Sequence, residues 1–237
     1  MEKLRKQLFL LTAIPTIFMI LSLVAGSRNV ILREGVAFTC ALICVIAVFV
    51  LSKGSWALWF LVVAFCLSIV GDLFLRDINS DMDFILGILF FFLAHIGFLI
   101  YAMKRAKLSW PVFAVVTVPF LVFYFVGLVP SPGLSGNIPL SVAAMCYLLV
   151  SCLSFSVAIS GAVRMPKSPT RWIFTAGIAS LLISDTFLSI VDFIKYKGVA
   201  PQIMQLYYLS HVLIALSVTL EHRDKTLNHS FSIEAES

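Results

Sequence analysis

The chain has 237 residues, of which 61% are apolar and only 12% charged, and its mean hydropathy is +1.05. Soluble domains carry about 25% charged residues, so a soluble enzyme or a soluble binding module is excluded. The net charge of +5 comes from lysines and arginines set in short loops, not from a basic face, which excludes a nucleic-acid partner.

The apolar residues fall into eight runs, each long enough to cross a hydrocarbon layer about 30 Å thick. Without water, only helices or closed barrels satisfy their own backbone, and continuous apolar runs predict helices. The expectation is an all-α polytopic bundle of eight transmembrane helices in a single domain over residues 1–220. The spans are expected at about 8–25, 31–51, 56–76, 84–103, 110–129, 140–163, 172–194 and 201–220, with a polar, disordered tail over 221–237.

Lys3, Arg5 and Lys6 precede the first run, which is read as a retained span and not as a cleaved signal peptide. Arg33 and Glu34 stand at the mouth of the second, where long side chains can snorkel. The third span sets Ser68, Asp72 and Arg76 on one face at i, i+4 and i+8. After the acidic turn 77–83, the fourth span carries His95. Pro119 is expected to kink the fifth, and an uncharged Pro/Gly loop over 130–139 leads into a sixth span rich in Ser, Ala and Cys. On the seventh span Asp185, Ser189 and Asp192 share a face; on the eighth Tyr207, Tyr208 and His211 lie within one turn.

Alternate loops hold twelve Lys and Arg on one side and five on the other, which predicts that both termini are cytoplasmic. In a bacterium the expected location is the inner membrane. All five cysteines lie inside apolar runs and read as small buried thiols, not as a disulfide or metal framework. No cofactor and no metal is expected.

A charged Asp near the centre of a membrane helix costs about 3 kcal/mol on insertion scales, so Asp72 and Asp185 call for a use. Plainer readings exist for the other polar groups. Ser68 and Ser189 can bond back to their own helices, and Tyr207 and Tyr208 can belong to an interfacial belt. Asp192 and Arg76 can be solvated at the span ends, and His211 can be an interhelical hydrogen-bond partner.

The positions Ser68, Gly71, Asp72, Leu75, Phe84, Gly87, Phe91, Ala94, His95 and Tyr101 form a pattern that resembles the YhhN family of integral-membrane lysoplasmalogenases. Ser184-Asp185-Thr-Phe-Leu188 is similar to that family's second signature. Tyr207-Tyr208-Leu-Ser-His211 is similar to its Tyr-Tyr-x-x-Gln, with His in place of Gln. The Lys-Pro pair common in the family between the first two helices is absent. The resemblance implies hydrolysis of the vinyl ether bond of a lysophospholipid embedded in the bilayer. The products would be a fatty aldehyde and a glycerophospho-alcohol.

The residues suit that chemistry. Vinyl ether hydrolysis is acid-catalysed and needs one carboxylic acid and one carboxylate, a division of labour two buried carboxyls can provide. Asp72 and Asp185 are expected to divide the acid and base roles, in an order the sequence leaves open, with His95 orienting. Arg76, Tyr207, Tyr208, His211 and Asp192 are expected on the substrate, Arg76 toward its phosphate. A proton-coupled transporter and a metal-dependent lipid hydrolase stay open as alternatives. Finally, Gly71-Asp72-Leu-Phe-Leu75 and Ser184-Asp185-Thr-Phe-Leu188 share a pattern at an offset of 113 residues, each followed one span later by a histidine. This predicts a parallel four-plus-four internal repeat, with both Asp facing one cavity in the middle to outer part of the bilayer.

Overall fold

The computed structural model describes residues 10, 12–25, 38–40, 42, 43, 46, 56–76 and 81–235. Its helices are α1 (Ala13–Ala25), α2 (Trp56–Arg76), α3 (Asp81–Met103), α4 (Trp110–Phe123), α5 (Ile138–Arg164), α6 (Pro169–Asp192) and α7 (Ala200–Ala235). A π-helical turn, Tyr124–Leu128, extends α4, and a 3₁₀ turn, Lys197–Val199, leads into α7. There is no strand among the described residues. Among the described residues, six helices are long and apolar enough to cross a membrane: Trp56–Leu75, Met82–Met103, Trp110–Leu128, Ile138–Arg164, Pro169–Asp192 and Lys197–Leu220. Of the eight expected spans, α1 covers part of the first, and the second lies outside the described residues apart from scattered positions.

Local chemistry accounts for the ends. α4, α5 and α6 each begin with a proline in the first turn, where the missing N–H would have no partner anyway. Asn137 caps α5, its side chain accepting from the Leu140 N–H at 3.1 Å, a contact worth about 1 kcal/mol. α3 starts at Asp81, inside the expected acidic turn.

α4 is continuous helix through Pro119, and a widened turn follows it, where Val129 N–H bonds the Tyr124 carbonyl at 2.9 Å. Two expectations need correction. The tail is helical to Ala235, not disordered, since no Gly or Pro follows Pro201 to stop the helix. Among the cysteines, Cys40 and Cys152 are buried as expected, but Cys66 and Cys146 are exposed on outer helix faces.

The helices pack as a chain of neighbours: α2 on α3, α3 on α5, α5 on α6, α6 on α7, with α4 against α5 and α1 against α7. Glycines set two of the closest approaches. A Cβ at Gly97 would lie 2.7 Å from the Phe60 carbonyl oxygen on α2, and one at Gly177 would lie 3.1 Å from that of Ser210 on α7. The core they close holds Leu61, Phe65, Phe98, Ile178, Leu181 and Ile214. Large apolar side chains such as Val115, Val118, Val122 and Val126 of α4 and its π turn face outward, as a lipid-facing surface requires.

Candidate functional site

A cavity of about 250 Å³ lies where α2, α4 and α6 end and α3, α5 and α7 begin. This end of the bundle is opposite the basic loops holding Lys104, Arg105, Lys107, Arg164 and Lys167. Its walls are mainly apolar, with Leu75, Phe84, Ile88 and Phe91 from the α2–α3 hairpin and Phe123, Leu128 and Leu148 from α4, its π turn and α5. Into this apolar space come three carboxyl groups, Asp72, Asp185 and Asp192, and three phenols, Tyr124, Tyr147 and Tyr207.

Asp185 sits late on α6 with its side chain 13% exposed. Its Oδ2 accepts from the Tyr147 hydroxyl at 2.5 Å. The Nε2 of His95 lies 3.3 Å from the same oxygen. Facing a carboxylate, that nitrogen is assigned the proton, which leaves Nδ1 without a partner among the described residues. His95 is fully buried and lies behind Asp185, not in the cavity wall. Its ring meets Tyr147 edge-on, with centroids 5.1 Å apart. Ser154 of α5 donates to the His95 carbonyl at 3.2 Å, so α3 and α5 are joined at this level.

Asp72 sits late on α2, and its Oδ2 accepts from the Tyr207 hydroxyl of α7 at 2.9 Å. Tyr207 is therefore no belt residue: it is buried and lines the cavity. Ser184, beside Asp185, donates across to the Ile203 carbonyl of α7 at 2.8 Å, which fixes α6 against α7 at the cavity floor. At the rim, the Gly133 N–H donates to the Phe193 carbonyl at 3.1 Å. A Cβ there would stand 2.7 Å from Phe193 Cα, so only glycine lets the 129–137 loop dock on the end of α6. Tyr124 pins the π turn by donating to the Ser141 carbonyl at 2.6 Å.

A model of the YhhN family matches residues 35–218, well over half of the chain. The chain belongs to the YhhN family. No curated protein and no solved structure matches it.

Within this YhhN chain, the residues singled out by sequence separate into two groups. Asp72, Asp185, Asp192 and Tyr207 line one cavity, and His95 reaches it through Asp185. Tyr208 and His211 do not line it. Tyr208 is buried in the core. His211 turns back on its own helix, its Nδ1 2.9 Å from the Tyr207 carbonyl and its ring 5.1 Å from Phe65. The side chain of Arg76 lies outside the described residues. Ser68 and Ser189 bond the Ala64 and Asp185 carbonyls of their own helices.

Tyr147 is the functional candidate that sequence reading missed. A signal for it existed. It is the tenth residue of the 27-residue α5, too deep for an aromatic belt, and a buried phenol needs a partner. Among the described residues, no group of three His, Cys, Asp or Glu side chains is placed to hold a metal ion.

Proposed function

We propose that this YhhN-family membrane protein hydrolyses the vinyl ether bond of lysoplasmalogens. The observation that carries the reading is the pair of carboxyl groups, Asp72 and Asp185, lining one largely apolar cavity, each bonded by a tyrosine hydroxyl. An apolar cavity within the bundle suits a lipid chain, and carboxyls inside it suit a reaction that needs a proton donor and a water activator.

In the proposed reaction one Asp gives a proton to the vinyl carbon β to the ether oxygen. The oxocarbenium ion that forms at the α carbon is stabilised by the second, ionised Asp. Water adds to that carbon and gives up a proton to the ionised carboxylate. The resulting hemiacetal then breaks into a fatty aldehyde and a glycerophospho-alcohol. His95 orients Asp185, Tyr207 orients Asp72, and Asp192 stands at the rim near the polar end of the substrate. The cavity end faces away from the cytoplasm and both termini face it, on the strength of the loop-charge count.

The test is product analysis with purified protein in lipid nanodiscs. Lysoplasmalogen should release a fatty aldehyde, while the saturated-ether and acyl analogues at equal concentration should be inert. Release of a fatty acid from the acyl analogue, or no aldehyde from the vinyl ether, would sink the reading.

A further inference from the structure

We infer that Tyr147 is a positioning residue of this site and that it acts through Asp185. The inference rests on the hydrolase reading above and deepens it. Three groups from three helices meet at one atom: the Tyr147 hydroxyl of α5 at 2.5 Å and His95 Nε2 of α3 at 3.3 Å both point at Oδ2 of Asp185 on α6. Two donors on one oxygen make it an acceptor twice over, and a proton placed there would displace one of them. Oδ2 is thus committed to holding the side chain, and the other oxygen is the one available to water and to the developing cation.

The two supports differ in strength. At 2.5 Å the phenol bond is in the range of short O–H···O⁻ bonds, whereas the imidazole contact at 3.3 Å is long for N–H···O. Tyr147 is therefore the firmer of the two. Its ring is held in turn by the edge-on contact with His95, at an interplanar angle of 86°. A phenol also has few rotatable bonds, so little freedom is lost in fixing it. Without the hydroxyl, the carboxylate can swing about its side-chain torsions. A misplacement of about 1 Å in a reacting group costs on the order of 10²-fold in rate.

A double-mutant cycle on the full-length protein in nanodiscs tests this. Tyr147→Phe keeps the ring and should lower kcat by about 10- to 50-fold, with KM changed by no more than about 2-fold. In an Asp185→Asn background the same change should cost no more than about 2-fold further, because the group it positions is already gone. A role in packing alone would instead lower the melting temperature and add its loss in both backgrounds. If Tyr147→Phe folds poorly, 3-fluorotyrosine at position 147 keeps packing and hydroxyl but changes the strength of the donor. A shift in kcat at constant KM then supports the inference, and wild-type kcat overturns it. Wild-type kcat in Tyr147→Phe, or full additivity in the cycle, overturns it while leaving the hydrolase reading in place. A wild-type protein inert toward lysoplasmalogen overturns that reading and this inference together.

Discussion

The α2–α3 and α6–α7 hairpins carry the same components in the same order, an aspartate late on the first helix and a histidine on the second, yet they are wired differently. Each aspartate finds its partner on the other hairpin: Asp72 accepts from Tyr207 of α7, and Asp185 accepts from His95 of α3 and from Tyr147 of the intervening α5. The histidines diverge. His95 reaches across to Asp185, while His211 bonds the carbonyl one turn back on its own helix and packs on Phe65. Similarity of pattern along a chain thus predicts which residue types approach a cavity, but not which of them bond to one another. That choice is made by helix packing, here by glycines that let α2 close on α3 and α6 on α7.

The largest expected effect treats the two hairpins alike. Asp72→Asn and Asp185→Asn keep size and most hydrogen bonds but remove the ionisable group, so each should lower aldehyde formation by about 10²-fold or more. Thermal unfolding in detergent should change little. If one Asn variant keeps full turnover, only one hairpin carries chemistry, and the two-carboxylate mechanism fails.

A smaller effect should tell the histidines apart. His95→Gln removes the imidazole from Asp185 and should lower turnover by about 10-fold, since it withdraws the weaker of the two supports of that carboxylate. His211→Gln places at the end of the Tyr-Tyr motif the residue that the resembling family pattern carries there. It should leave turnover within about 3-fold of wild type. Equal losses at both positions would mean that the hairpins are used symmetrically after all.

Much of this was legible in the sequence, for a physical reason. Apolar length and loop charge declare spans, and an aspartate inside a span stands out because burying it is costly. That signal found Asp72 and Asp185, and the pattern they share at an offset of 113 residues led to the expectation of one cavity, which both line. It failed where a residue type is cheap in a membrane. Tyr147 is one aromatic among 21 phenylalanines and six tyrosines, and nothing in its local pattern marks the carboxylate it meets from another helix. The widened turn at 124–128 has no proline of its own to mark it, and Pro119 lies five residues before it. Tyr208 and His211 share a helical turn with Tyr207, a spacing that suggests a common role, yet only Tyr207 of the three lines the cavity.

The smallest expected effect concerns the serines of the two aspartate motifs, Ser68 and Ser184, which are both buried. Ser68 donates to the Ala64 carbonyl of its own helix at 3.0 Å, an oxygen already placed to accept within the helix ladder. Ser184 donates to the Ile203 carbonyl of α7 at 2.8 Å and so joins two helices one residue away from Asp185. Interhelical hydrogen bonds in membranes average about 0.6 kcal/mol, because the unfolded helices find other partners in the bilayer. Ser184→Ala should therefore lose about 0.5–1 kcal/mol of stability in a detergent or lipid unfolding titration. Ser68→Ala should lose less than about 0.3 kcal/mol, as removing a back-bonded serine even relieves a slight distortion of its helix. Turnover should follow the same order, with Ser184→Ala slower by a few-fold because α6 carries Asp185 and Ser68→Ala unchanged. A larger loss at Ser68 than at Ser184 would show that the first hairpin, not the second, depends on its serine to hold the carboxylate.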